Sequence, residues 1–424
     1  MVSRRQFLAM AAAQMTVRSV RPEDLEMPLS GFADFITPIE MFFVRTHVAV
    51  PRVEIAEWRL KVEGHVSTPL TLSMDDLQKM PPAELVGVLE CSGNGRSFYE
   101  PPVAGLQWAN GAVGNGRWRG VRLADVLERA GVKAGAVEVL FDGADVPLGT
   151  MADFQRSIPM RKALHRDTLL AYSMNGEALP VKHGFPLRAV VPGWAGSSWI
   201  KWVTTVRVLN EPFGGFWMKN AYLHPGKPVA PGTVVPPEAM SPVTSLRVKS
   251  VIAGAQVVGT RSVVRGAAWS GEAAPVAAVD VSVDQGRSWK PARLGGDATR
   301  YGWRLWEFSW TPSGDRHTTV LARARDAGGD VQPLVPEWNP SGYLWNAVVA
   351  PPAAPDAAAA VVPPPAGFRE TCVTCHQDDV IRQQRLTRAQ WDREINKMVG
   401  WGARVRPEDR ETFLDYLLKL AGPR

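Results

Sequence analysis

Between Asp34 and Pro225 the apolar positions follow a mixed pattern. Strand-like runs such as Trp58-Arg59-Leu60-Lys61-Val62 and Leu187-Arg188-Ala189-Val190-Val191 alternate with helical segments. The spacing predicts helices over Ser73 to Met80, with Ser73 as the N-cap, and over Leu123 to Ala130. Beyond Pro228 the pattern changes to short β-rich runs: Val248 to Ile252, Gln256 to Arg265, Val276 to Asp284, Trp303 to Trp310 and Thr318 to Asp326. Glycine and polar turns separate them, which predicts an immunoglobulin-like β-sandwich over 229–350. A stretch rich in proline and alanine, 351–366, has no periodicity and reads as a semi-rigid linker. The final segment, 367–424, carries an amphipathic helix from Trp391 that ends in a glycine-punctuated loop near Ala403.

Composition narrows the function classes. The net charge of +6 is spread along the 424 residues with no long basic run, which argues against nucleic acid as a partner. No apolar run approaches the roughly 20 residues needed to span a bilayer. The start, Ser3-Arg4-Arg5-Gln6-Phe7-Leu8 followed by Ala9 to Ala13, resembles a short twin-arginine export signal. Residues 1–33 are therefore expected to be a signal and N-terminal extension, and the protein to be periplasmic.

Two of the three cysteines stand in Cys372-Val373-Thr374-Cys375-His376. Two thiols three positions apart can each form a thioether to a porphyrin vinyl group, and the adjacent imidazole can ligate the iron. The competing readings are weaker: a zinc site needs about four ligands, and the tail has no other histidine or cysteine. A thioredoxin-like pair would need a βαβ context that the proline-rich flank does not provide. Met398 is the only methionine after the motif and is the candidate second axial ligand, although it could simply fill a core. Histidine and methionine together suit outer-sphere electron transfer. So short an all-α cytochrome c domain would draw much of its apolar core from the porphyrin itself.

The third cysteine, Cys91, lies in Leu89-Glu90-Cys91-Ser92-Gly93-Asn94-Gly95-Arg96. A lone thiol followed by arginine can persist as a thiolate, a soft ligand for a redox metal. With the phrases Phe42-Phe43-Val44-Arg45-Thr46-His47, Gly105-Leu106-Gln107-Trp108, His183-Gly184-Phe185-Pro186-Leu187-Arg188, Trp199-Ile200-Lys201-Trp202, Trp303-Arg304-Leu305-Trp306 and Trp338-Asn339, the chain resembles the sulfite oxidase family of molybdenum enzymes across most of 34–350. The resemblance implies an α+β molybdopterin-binding domain over 34–228, followed by a sandwich that commonly mediates a homodimer. It implies that Cys91 ligates molybdenum, that Arg45 and Arg96 border an anion pocket, that Trp108 closes one wall, and that Tyr222 is the active-site tyrosine. Phe43, Val44, His47, Asp145, His183, Arg188, Trp199 and Lys201 fall where the family holds the pterin and its phosphate. Guanidinium and ammonium groups suit that phosphate. Where the vertebrate-type enzymes carry an arginine this chain has Ser341, which leaves more of the pocket charge to Arg45 and Arg96.

These readings together predict a sulfite dehydrogenase that passes electrons singly through haem c to an external cytochrome c. Alternatives are the same centre acting on another sulfur substrate, such as a protein-bound sulfane or a sulfoxide, and a haem electron-transfer module on a degenerate scaffold. A small cationic pocket fits sulfite, whereas an open groove fits a carrier protein.

Overall fold

The computed structural model describes residues 15–47, 49–312, 319–348 and 362–423. The twin-arginine-like start and linker residues 351–361 lie outside them. Two sheets form the first part of the chain. In one, strands Pro82–Glu90, Val113–Arg122 and Leu169–Met174 lie antiparallel, with Glu177–Ala178 and Arg188–Val190 both paired to Leu169–Met174. The other runs in the order Leu70–Leu72, Leu60–Gly64, Val203–Leu209, Glu138–Gly143, Arg156–Pro159. It is mixed, because Val203–Leu209 lies parallel to Leu60–Gly64 and antiparallel to Glu138–Gly143. Leu60 and Val62 are fully buried while Lys61 between them is exposed, the period-two signature of a half-buried strand. These residues join Trp118, Leu127, Phe141 and Val206 in one apolar cluster.

Both helices expected here form, with local causes. Ser73 accepts from the Asp76 N–H and Asp76 reaches back to Ser73, a capping box that opens the helix Met74–Gln78. Leu123, Val126, Leu127 and Ala130 bury one face of the helix Leu123–Ala130, which stops at Gly131 with φ of 67°.

The second part is two antiparallel sheets. One has the order Lys249–Val258, Arg261–Trp269, Arg304–Trp310, Arg293–Leu294, and the other Lys290–Pro291, Val276–Ser282, Leu321–Asp326. Val264, Val279, Val281, Trp306 and Ala324 form the apolar layer of this part. The β-rich run 256–265 is not one strand: a turn at Gly259, with φ of 62°, divides it between two hairpin partners.

The N-terminal extension is part of the body. Thr16–Ser19 pairs with Asp24–Glu26, and Met27 and Phe32 enter a cluster with Trp269 and Trp303 of the second part. A buried ion pair also joins the two parts. Glu90, immediately before Cys91, accepts from Lys249 Nζ at 2.7 Å, Trp269 Nε1 at 2.7 Å and Asn94 Nδ2 at 2.8 Å.

The tail folds as helices Phe368–Cys372, Asp379–Arg382, Arg388–Gly400 and Arg410–Ala421 around Phe368, Leu386, Trp391, Phe413 and Leu417. It rests on the body. Arg21 donates to the carbonyls of Val373 and Thr374, each at 3.2 Å, and Val20 N–H donates to Asp379. At the far end Trp401 meets Phe216 and Trp217, with ring centroids 6.0 and 5.9 Å apart.

Removing one partner of a fully buried, hydrogen-bonded ion pair strands the other charge, at a cost of about 3–5 kcal/mol. Glu90→Ala is therefore expected to lower the unfolding free energy by about that much, measured by denaturant titration, through loss of the joint between the two parts.

Candidate active site: a cationic cleft around Cys91

Cys91 stands at the end of strand Pro82–Glu90, where its N–H bonds to the Ala112 carbonyl. The chain then turns tightly. Asn94 N–H donates to Cys91 O, and the Asn94 side chain ties Glu90 to the Ala112 N–H. Gly95 has φ of 87°, and a Cβ there would lie 2.6 Å from the Trp345 ring, so glycine is required. Cys91 opens into a cleft of about 710 Å³, partly open to solvent, shared by Phe43, Arg45, His47, Asp145, His183, Arg188, Trp199, Lys201 and Tyr222. Distant strand ends and short 3-10 turns thus converge here, which no local motif could dictate.

The electrostatics are one-sided. Arg45 is paired with Asp24 at 3.2 Å, and Lys182 with Glu23 at 2.6 Å. Among the described residues Arg188 has no carboxylate partner: it donates to the carbonyls of His183 at 2.8 Å and Trp199 at 3.1 Å, and its Nε is buried and unbonded. Burial pushes it down to about 9. Lys201 donates to the backbone carbonyls of Arg45 and Lys182, and burial followed by the charge of Arg188 pushes it down to about 7 against the pull of Asp145 and Asp24. His183 falls to about 3, mainly by burial and then by the same cations. Burial lifts Asp145 to about 6. For Cys91, burial raises the thiol and Arg45 and Arg96 pull against it.

Beside the thiol, the Tyr222 hydroxyl and His47 Nε2 share a hydrogen bond of 2.5 Å. Tyr222 has φ of 54°, uncommon for a residue with a side chain, and its carbonyl accepts from Val243 N–H at 2.7 Å. Its ring stacks on Tyr343 at 5.4 Å, and the Arg156 guanidinium lies 5.3 Å from its centroid. His47 stacks on Phe154 at 4.0 Å and meets Trp217 edge-on.

Three expected site residues stand outside the cleft lining. Trp108 is 1 % exposed in the central apolar cluster, so it packs and does not form a wall. Val44 is buried, and its backbone pairs with Leu25. Arg96 is buried behind the thiol loop, donating to Leu106 O at 3.0 Å and Ser341 O at 3.4 Å and lying over Tyr343. Residues the sequence did not single out are Asp24, Phe154, Arg156, Lys182, Ser197 and Tyr343.

The residues fit a polyanionic cofactor. Unpartnered buried cations are costly unless a counter-charge arrives, and Arg188 with Lys201 offers that charge's complement. Among the described residues no group of three or more His, Cys, Asp or Glu could hold a metal. Cys91 is a candidate ligand for a metal whose remaining donors a bound chelate would supply.

Residues 47–217 match the oxidoreductase molybdopterin binding domain, and 238–349 match the Mo-co oxidoreductase dimerisation domain. Sulfite oxidase of Gallus gallus is 38% identical over 352 residues, covering 78% of this chain and 76% of that protein. The chain belongs to the sulfite oxidase family. The mitochondrial enzyme of Homo sapiens is also 38% identical, over 78% of this chain but 64% of its own length, so the match spans a little under two thirds of the human protein. Among solved structures, the sulfane dehydrogenase SoxCD from Paracoccus pantotrophus has a TM-score of 0.70 at 27% identity, covering 81% of this chain and 88% of that one. The matched molybdopterin binding domain includes the cleft residues His47, Cys91, Asp145, His183, Arg188, Trp199 and Lys201.

The tail suits its group as well. His376 Nδ1 lies 2.9 Å from the Gln377 carbonyl, which can only accept, so Nδ1 is the donor and Nε2 is the ring nitrogen left for another partner. Cys372 packs against the tail's apolar cluster, where burial raises its thiol to about 11, and Cys375 is exposed. Met398 is half-buried on the helical face of Trp391 and Ile395, at the i, i+4, i+7 spacing.

The sign of one pH effect follows. Lys201 sheds its proton near pH 7 in the folded, cofactor-free protein and near 10.4 when unfolded. Between those values the unfolded state binds more protons, so the Lys201 contribution to stability rises with pH. Cofactor-free protein is expected to gain stability from pH 7 to 9, and Lys201→Met to gain less, by denaturant midpoint at both values.

Proposed function

We propose that the protein is a periplasmic sulfite dehydrogenase that oxidises sulfite to sulfate and passes the electrons one at a time, through a haem c on its own tail, to an external cytochrome c. The observation that carries this reading is the coexistence in one chain of the Cys91 cleft and a Cys-x-x-Cys-His tail resting against it. Bound molybdenum supplies two-electron redox chemistry and oxygen transfer to sulfur.

The chain's own groups do the rest. Arg188, Lys201, His183, Asp145 and the rings of Phe43 and Trp199 hold the pterin and its phosphate. Arg45, with Arg96 behind it, supplies the positive field that draws an oxyanion to the thiol side. Tyr222, fixed by His47, Tyr343 and Arg156, presents a hydroxyl to that anion. Burial raises the Tyr222 phenol and lowers His47 far below its usual value, so a protonated phenol and a neutral imidazole face the substrate. Cys372 and Cys375 would hold the haem, and His376 and Met398 would serve as ligands to its iron. Residues 238–349 support a homodimer.

A second reading, oxidation of a sulfane sulfur, is favoured by the likeness to SoxCD and by Ser341 in place of an arginine. Anaerobic mixing of oxidised, cofactor-loaded protein with excess sulfite separates the two. Rapid appearance of the reduced haem bands, abolished in Cys91→Ser, is the expected result. An unchanged spectrum, with molybdenum present and dithionite still reducing the haem, would reject sulfite and favour the sulfane.

A further inference from the structure

One loop lies between the tail and Arg96. Gln384, 4 % exposed, uses its side-chain amide on both backbone groups of Gly105: Oε1 accepts the N–H at 3.3 Å and Nε2 donates to the carbonyl at 2.9 Å. Gln383 Oε1 accepts the Gln107 N–H at 2.8 Å, and Gln390 Nε2 donates to Pro102 O at 3.0 Å. Ala104 of the same loop packs into the tail's apolar cluster. On the inner side, Leu106 O is the acceptor for Arg96 Nη1. Gly105, with φ of 119°, comes so close that a Cβ would lie 2.9 Å from the same nitrogen.

Residues 102–107 have no helix or strand of their own. Arg96 makes no ion pair among the described residues; it is held by two carbonyls and the face of Tyr343. Leu106 O fixes one end of the guanidinium and Ser341 O the other, so a shift of the loop displaces the Nη1 end. The loop is fixed from outside by the glutamines of the tail.

We infer that the tail has a second task besides carrying a haem: it clamps 102–107 and thereby positions Arg96 behind Cys91, so the anion pocket is complete only when the tail is docked. This rests on the reading above that Arg96 serves an anion. Gln384 is a positioning residue in this account, and its neutral buried bonds make the clamp insensitive to salt.

The test uses the full-length, cofactor-loaded protein and its Gln384→Ala and Gln383→Ala variants. Hydrogen exchange is followed at 103–107, and sulfite oxidation is followed with ferricyanide as the soluble oxidant. Each sulfite and water yield sulfate and two protons, and two ferricyanides are reduced. Small misplacements of a binding group cost up to about a hundredfold, so KM for sulfite is expected to rise roughly ten- to hundredfold in Gln384→Ala. The expected companions are kcat within a few-fold, faster exchange at 103–107, and the same KM ratio at high salt. A lowered kcat with unchanged KM would show that the tail only relays electrons, and unchanged exchange would overturn the clamp. Gln383→Ala should move both readouts in the same direction, and it carries the test should Gln384→Ala not fold. Should the wild type fail to oxidise sulfite, the functional reading falls, while the exchange measurement still decides the clamp.

Discussion

Buried positive charge beside Cys91 is the constraint around which this protein is built. Arg188 and Lys201 donate to backbone carbonyls, and among the described residues neither forms an ion pair, in a cleft they share with Cys91 and Asp145. Isolated, such groups oppose folding, and their lowered proton affinities express that cost. An anionic cofactor reverses the sign. The aromatic faces of Trp118 and Trp199 against Arg188 and of Trp202 against Lys201 give the cations surfaces to rest on.

Rigidity around the thiol comes from the joint between the two parts of the body. Glu90 satisfies Lys249, Trp269 and Asn94 at once, one residue before Cys91. Tyr99, Asn339 and the Tyr343 carbonyl tie the later chain to the same loop. The second part therefore supports the first chemically as well as mechanically, since Tyr343 bridges Arg96 and Tyr222. The tail adds a third layer: its glutamines grip the loop outside Arg96, and Trp401 rests on Trp217, which itself meets His47.

Much of this was legible in the sequence where local chemistry is decisive. The Ser73 capping box and the apolar face of Leu123–Ala130 follow from motif and periodicity, and the family resemblance pointed to Cys91, His183, Arg188 and Lys201, which share one cleft. What escaped depends on long-range placement. Asp24 is an ordinary acid in an apparent leader until a hairpin sets it against Arg45. Trp108 carries a family motif yet is spent on packing. Gln383 and Gln384 read backbone through neutral amides, which leave no charge or hydrophobic pattern to detect. The stretch of proline and alanine reads as a semi-rigid linker, and nothing in its composition encodes the surface on which the tail settles.

The central claim is that Cys91 is the protein's bond to molybdenum within a cleft made for its pterin. Molybdenum K-edge absorption spectroscopy of the purified protein and of Cys91→Ser addresses it most directly. The account predicts a sulfur shell larger by one ligand in the wild type, with molybdenum still present in the variant. Identical sulfur shells in the two proteins would contradict it.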